Sequence, residues 1–533
     1  MTGEIAFEVD GRAVTVVDDG ASLLEVLRDR LGVRSPKDGC SPQGQCGCCT
    51  VLVDGAPRVA CVTPSARVAG RRVTTVEGLA EDERRRWADA FVATGASQCG
   101  FCTPGIIVRL SGLAGRADRV EDDAAVERAL AAHLCRCTGW RTILDARRLV
   151  RCGLRGTTSA PVPRPERDWT SAATRAAVEG GVAQRVGPEV ALGGGGFADD
   201  SAPDGALVAV PDAVRPGEWV VRETLAEARA VAGKVQGRRT TIDPGHPLEV
   251  AGGDWDLCLR TTWVEPAYLE TDASWCAPGG VPTSPLANGG AFGGKAASPA
   301  PAAARRLADE HGRPVRVLLS REDTVRLGPK RPPLAAGVRV DASGEVTGVV
   351  RVVRTPGIAS AIASVAPGLE VVEVDIAGPP TSAGVRGAGW AEALILLAAA
   401  RGTHPVTVTT PAGATAVVGV DDDGVGVRVE CGQVLDEVVL RSYCIGAAHM
   451  ALGWVRREAI AVDGAGEVHD LTIRSFGILR AGEMPPVEVE VVPSERAPVN
   501  GSDAVFVAVA AAEWLRQGCP QDWPTERENR RGR

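Results

Sequence analysis

Histidine, methionine and tyrosine are scarce in this chain, with six, three and two copies among 533 residues. The histidines, His133, His246, His311, His404, His449 and His469, never pair at the spacing of a histidine metal site, and each reads as structural or exposed. Long apolar runs are missing too. The run from Ala393 to Ala400, for example, is eight residues against the roughly 20 needed to cross a bilayer. An excess of positive charge is lacking, with 59 Lys and Arg against 67 Asp and Glu, a net charge of −8 and scattered signs. That excludes nucleic acid or an anionic membrane as the main partner. Met1-Thr-Gly-Glu-Ile5 has no basic stretch and no apolar core of a signal peptide, so a cytoplasmic protein with reduced thiols is expected. No Gly-x-Gly-x-x-Gly follows a strand, and Gly193-Gly-Gly-Gly196 reads as a loop, so no flavin or nicotinamide domain is visible.

Cysteine is what the chain has, fifteen in all, nine of them in two groups within the first 137 residues. The first group is Gly39-Cys40-Ser-Pro-Gln-Gly44-Gln-Cys46-Gly47-Cys48-Cys49, followed by Cys61. The second is Gln98-Cys99-Gly-Phe-Cys102-Thr-Pro-Gly105, followed by Cys135-Arg-Cys137. Each group can supply the four thiolates of a [2Fe–2S] cluster, and C-x4-C-x2-C…C is the plant-type ferredoxin spacing. The rival is a four-cysteine zinc site, which CxxC…CxC could also make. Gly39, Gly44 and Gly47 argue for a cluster, because a backbone wrapped around sulfides needs residues without side chains. Two iron–sulfur sites in one chain imply that electrons are moved. The other thiols, Cys152, Cys258, Cys276, Cys431, Cys444 and Cys519, show no paired motif and read as buried apolar groups.

On these motifs the first 155 residues resemble the iron–sulfur part of the xanthine dehydrogenase/aldehyde oxidase family of molybdenum hydroxylases. The resemblance implies that Cys40, Cys46, Cys49 and Cys61 hold one cluster and that Cys99, Cys102, Cys135 and Cys137 hold the other. It adds Gln98 as a cofactor-binding residue. One departure is visible: five residues separate Cys40 from Cys46 where the family has four, so a bulge is expected at Ser41-Pro42-Gln43. Cys48 is the spare thiol.

Local patterns agree. Ile5–Val9 and Ala13–Val17 alternate around Asp10-Gly11, a hairpin signal. Ser22 to Leu31 has helical apolar spacing and stops at Gly32. From about 82 to 152 the pattern is helical, and Ala124 to Leu134 is expected to deliver Cys135 from a helix end. The fold class expected is multidomain α+β. A β-grasp ferredoxin domain at 1–80 and a helical-bundle [2Fe–2S] domain at 81–155 precede a Pro-, Ser- and Thr-rich linker at 156–165. An α/β hammerhead-like domain at 166–262 and a shortened molybdopterin-binding-like domain at 263–533 follow.

The last assignment rests on Asn288-Gly289-Gly290-Ala-Phe292-Gly293-Gly294-Lys295, similar to the Gly-Gly-Gly-Phe-Gly-Gly-Lys loop of the family's molybdenum subunit. Backbone N–H groups of such a loop can bind an anionic ligand, although a short glycine motif alone equally describes a hairpin turn. Thr381 to Gly389, with Arg386 and Gly387, resembles a second cofactor-side loop. By resemblance, Gly289, Gly290, Phe292, Gly293, Gly294, Arg386 and Gly387 would face a molybdopterin-type cofactor. The departures are large. The part after the linker is far shorter than the family's subunit. Pro266 and Met450 stand where the family has His and Gln, and Ser502-Asp503 stands where its catalytic glutamate falls. An ungapped match selects Ser502, and a one-residue shift selects Asp503 as general base. The competing role for Asp503 is an N-cap of the helix-like run after it.

The sequence therefore supports an iron–sulfur oxidoreductase of the xanthine dehydrogenase type, passing electrons from a molybdopterin centre through two clusters to a separate FAD-binding subunit. The alternative is a non-catalytic electron-transfer or assembly subunit with a degenerate molybdenum domain, and a full-length molybdenum subunit is a further candidate partner. Cys99→Ser is expected to remove one of two paramagnetic signals of the reduced protein, and Cys48→Ser neither. Loss of a signal in Cys48→Ser would show that the ligand set is different.

Overall fold

A computed structural model describes residues 3–114, 122–154, 167–233 and 242–526. The expected linker at 156–165 lies outside the described residues. The hairpin forms as read. Strand Glu4–Val9 pairs antiparallel with Arg12–Val17, and Asp10 and Gly11 turn the corner at φ 50° and 80°. Both angles are positive, as a two-residue turn matched to strand twist requires. Ile5, Phe7 and Val9 face inward, and the strand also pairs parallel with Arg72–Thr74. Thr50–Val53 and Ala56–Val59 complete a five-stranded sheet of β-grasp type.

Ser22 caps the helix that follows, its hydroxyl accepting from Glu25 N–H. The helix is not regular over its expected length. After Leu23–Glu25 it widens into a π-turn over Val26–Arg30. The widened turn carries Arg28, whose buried guanidinium reaches Asp199 and Asp200 at 2.7 and 2.8 Å. Insertions of this kind cluster where a side chain must be re-aimed.

Four helices then surround the second cysteine group: Glu81–Thr94, Thr103–Ala114, Asp123–Leu130 and Arg141–Leu154. Gly95 closes the first at φ 68°, where a side chain would be strained. The third ends at Leu130, four residues before the expected Leu134. The chain leaves the helix there so that Leu134 N–H can donate to Cys46 O at 3.0 Å.

The rest holds three four-stranded sheets. One joins Leu207–Pro211 and Trp219–Arg222 to Ala273–Cys276 and Val315–Leu318, so it draws strands from both sides of position 262. The second runs Leu369–Val374, Val346–Val353, Leu334–Val340, Leu257–Arg260, and the third spans Val406 to Val492. Helices Trp390–Arg401, Glu437–Arg456 and Ser502–Arg516 pack together beside the third sheet. Glu437–Arg456 is long and apolar enough to cross a membrane, but 89% of its apolar window is buried inside the protein, as in a core helix.

One buried ion pair organises the start of the last helix. Arg175 and Glu179, both without solvent exposure, pair within helix Trp169–Gly180. Glu179 also accepts from the N–H groups of Gly501 and Ser502 at 3.0 and 2.8 Å. Glu179→Ala would leave a buried guanidinium uncompensated and two helix N–H groups unmatched. A loss of about 3–5 kcal/mol is expected in denaturant unfolding; a loss under about 1 kcal/mol would show that the pair is dispensable.

Candidate iron–sulfur and cofactor site

The thiols gather into two buried sets. In the first, Cys40 touches Cys46 and Cys61, and Cys61 touches Cys49. Hydrogen bonds from Cys46 and Cys61 hold the Cys40 thiol well below its ordinary range, and those donors are pushed up in turn. In the second set Cys102 donates to Cys135, lowering the Cys135 thiol to about 6, and Cys137 lies 3.6 Å from Cys99. Cys99 alone of the eight is half-exposed. Among the described residues, no group of three or more His, Cys, Asp or Glu is set to hold a single metal ion. Two sets of four crowded, buried thiols fit [2Fe–2S] clusters. Cys48 is fully buried, its thiol against Cys46, and its burial pushes it up.

The glycines of the first loop serve different ends. At Gly39 an added Cβ would meet Cys46 Sγ at 3.2 Å and Leu269 O at 3.1 Å, as expected for a close approach to the cluster. At Gly47 it would meet the His133 ring at 2.4 Å, and at Gly44 the Val62 side chain at 3.1 Å. His133, with Thr50 Oγ1 3.1 Å from its Nε2, is pushed down to about 3 by burial, so it stays neutral. The two sets adjoin. A Cβ at Gly105, in the second motif, would meet Gly47 O at 2.4 Å.

The C-terminal half completes both cages through contacts that sequence reasoning missed. Arg136, between Cys135 and Cys137, is gripped by Glu458 at 2.5 and 2.7 Å and donates to Pro266 O at 3.0 Å. Arg321, wholly buried, donates to Gly39 O and Leu269 O at 2.7 Å each. The only signal was that both arginines sit in motif-like stretches. Their partners lie too far along the chain for spacing to reveal.

The expected cofactor residues divide into two places. Gln98 donates to Cys137 O at 3.0 Å and Ser442 Oγ at 2.9 Å, tying the second set to helix Glu437–Arg456. Gly290 also faces the second set. Phe292, Arg386, Met450 and Asp503 meet elsewhere. Arg386 lies between the rings of Phe292 and Phe506 at 5.5 and 5.3 Å. Its Nε donates to Asp503 Oδ1 at 2.9 Å and its Nη2 to Ser502 Oγ at 2.6 Å. Asp503 is not the N-cap of the last helix. It is the second helical residue, and Asn500 and Glu179 accept from the first N–H groups instead.

As arranged, these residues leave no room for a pterin. The cavity beside Phe292, Arg386 and Phe506 is about 20 Å³, space for about one water. The glycines of the loop are each occupied by protein. An added Cβ would meet Gln184 at Gly289, Gly384 O at Gly293, and Tyr268 at Gly294. Gly387, at φ 68°, packs on Ala391 in the same way. Lys295 is engaged as well, donating to Glu270 Oε2 at 2.8 Å and Pro285 O at 2.7 Å. Burial raises the Glu270 carboxyl to about 7.

Residues 7–72 match the family model described as a 2Fe-2S iron-sulfur cluster binding domain, and residues 75–148 match the [2Fe-2S] binding domain model. Over 144 residues the chain is 40% identical to the nicotine 6-hydroxylase small subunit of Paenarthrobacter nicotinovorans, covering 27% of this chain and 86% of that one. It is 44% identical over 133 residues to the aldehyde oxidoreductase of Megalodesulfovibrio gigas, covering 24% of this chain. It is 41% identical over 155 residues to the xanthine dehydrogenase of Emericella nidulans, covering 27% of this chain. Of those two proteins' own lengths the match spans only 15% and 11%. The structure is similar to the aldehyde oxidoreductase of Desulfovibrio gigas, with a TM-score of 0.73 at 14% identity, covering 99% of both chains. The Desulfovibrio desulfuricans aldehyde oxidoreductase gives 0.68 at 15% identity, covering 96% of this chain and 97% of that one. This is a protein with two [2Fe–2S]-binding domains on a multidomain α+β framework. The chain belongs to the xanthine dehydrogenase/aldehyde oxidase family of molybdenum hydroxylases.

Asp503→Asn tests what the carboxylate does. If it serves to hold Arg386 and favour the helix start, the variant loses about 1–2 kcal/mol in unfolding experiments. A general base would instead show itself as a drop in turnover on the order of a hundredfold, with stability unmoved.

Proposed function

We propose that this chain is an electron-transfer component of a molybdenum hydroxylase, working between a molybdopterin-bearing full-length subunit and a separate FAD-binding subunit in the cytoplasm. The observation that carries the reading is the pair of adjoining, buried four-thiol sets. Cys99, Cys102, Cys135 and Cys137 would hold one cluster, and Cys40, Cys46, Cys49 and Cys61 the other. Bound there, each [2Fe–2S] cluster supplies one-electron storage. The chain's own residues exclude water and fix the thiols: Gln98 and Arg136 at the second set, Arg321 and Gly39 at the first.

The named small subunits among the relatives support work with partner subunits. The nicotine 6-hydroxylase small subunit and the nicotinate dehydrogenase small FeS subunit of Eubacterium barkeri match over 144 and 139 residues, 86% and 87% of their own lengths. A catalytic reading, with molybdenum on this chain, draws on the retained order of the cofactor-loop motifs, but the filled cavity at Arg386 disfavours it. The domain limits at 1–80 and 81–155 stand as part of the same proposal, whereas the expected limit between 166–262 and 263–533 does not, because two sheets join strands from both sides of position 262.

Metal analysis of the full chain, made in a host able to supply both cofactors, decides between them. The expected result is about four irons per chain, as two [2Fe–2S] sites require, without stoichiometric molybdenum or flavin. Equal loading with molybdenum would assign the cofactor to this chain, and zinc in place of iron would sink both readings.

A further inference from the structure

We propose that Gly290 is a positioning residue for the second iron–sulfur cluster: the glycine loop at 288–295 closes over Cys99 and Cys137 and fixes that cluster's surroundings. The inference rests on the two-cluster reading above. An added Cβ at Gly290 would lie 3.1 Å from Cys99 Cβ, 3.2 Å from Cys99 Sγ and 3.4 Å from Cys137 Sγ. No other glycine of the loop has a thiol among its nearest neighbours. Its φ of 83° is also one that only glycine adopts without strain.

The loop is fastened at both ends. Asn288, with no solvent exposure, donates from Nδ2 to Cys99 O at 3.1 Å and accepts from Arg185 N–H at 2.6 Å. Lys295 holds the far end through Glu270 and Pro285 O. Cys99, the half-exposed thiol of the eight, is the one the loop covers. Cluster potentials follow hydrogen bonding to sulfur and exposure to solvent. A methyl at Gly290 would crowd both thiols by a few tenths of an ångström at a φ of 83°, and thiolates fixed by a cluster would have little freedom to give, so the loop is the part expected to shift. Lifting admits water at Cys99 and changes the second cluster while leaving the first, beyond Gly105, as it was.

The test is a redox titration of the full, molybdenum-free chain followed by paramagnetic resonance, with Cys99→Ser identifying the second cluster's signal. Gly290→Ala is expected to shift that signal's g-values and midpoint potential, or to remove it, with the first cluster unchanged. Gly279→Ala, at φ 70° with nothing within 4 Å, controls for backbone strain and should alter neither. A second-cluster signal unaltered in Gly290→Ala, or equal changes in both clusters, overturns the proposal. If Gly290→Ala protein cannot be recovered, Asn288→Ala decides in the same way: a selective change at the second cluster supports the proposal, and no change overturns it. A wild type showing fewer than two clusters would count against the two-cluster reading itself, which keeps the two failures distinct.

Discussion

Arg136 stands between two thiols of the second set, and both of its terminal nitrogens reach the carboxylate of Glu458. The side chains are 4% and 2% exposed, so neither charge has water to fall back on. Such a pair gives little net stability over an apolar replacement, but removing one partner leaves a buried charge uncompensated. Its value here is geometric. The bidentate grip fixes the turn Cys135–Cys137 in orientation as well as position. Because Glu458 follows the core helix Glu437–Arg456, the grip couples the thiols to the packing of the whole C-terminal half.

That coupling recurs wherever the cluster-binding part meets the rest. A Cβ at Gly446, inside the same helix, would fall 1.7 Å from Cys137 O, so the helix backbone rests directly on the ligand loop. Gln98 and Ser442 add a hydrogen bond beside it. On the other side Arg28 and Lys37 bind Asp199 and Asp200, joining the β-grasp domain to the segment before Leu207–Pro211, and Arg316 of strand Val315–Leu318 reaches Asp199 as well. The match to the nicotine 6-hydroxylase small subunit takes in 86% of that protein but only 27% of this chain. Here the same cages draw part of their walls from the C-terminal half.

What could be read in advance follows from the range of the physics involved. Asp10-Gly11 and the apolar spacing from Ser22 act within a few residues, so the hairpin and the start of the helix after it were legible. The cysteine groups were legible because four ligands from two short segments leave a spacing. The π-turn at Val26–Arg30 was not, since its cause is the reach of Arg28 to acids some 170 positions away. Nor were Glu179 and Asn500 visible as the caps of the last helix, because Glu179 reaches it from a helix over 300 residues earlier. Asp503 satisfied the local rule for a cap, and a distant side chain took the role first. Two single thiols, Cys258 and Cys519, are half-buried where an apolar interior was expected, because they lie at a strand edge and beyond a helix end.

The glycine loop shows how a motif can keep its composition while its surroundings change what it does. Pro266 and Met450 offer no side-chain donor where the family has His and Gln. The wall they help form carries Trp454 and Phe506, with Glu265, Arg331, Arg386 and Glu458 also in its lining. A guanidinium is stable in such a place only if stacked and paired. Arg386 has both, with two rings and the Asp503 carboxylate, while Met450 Sδ completes the contact at 3.4 Å. Freeing that space would separate the Arg386–Asp503 ion pair and move Phe292, already at an unusual φ of 49°. Phe292 O accepts from Arg386 N–H at 2.9 Å, and Gly290 lies two residues earlier against Cys99. Opening the cavity for a ligand would therefore pull on the cover of the second thiol set. The contact of Arg386 with Phe292 and the approach of Gly290 to Cys99 are thus joined through two neighbouring positions of one loop.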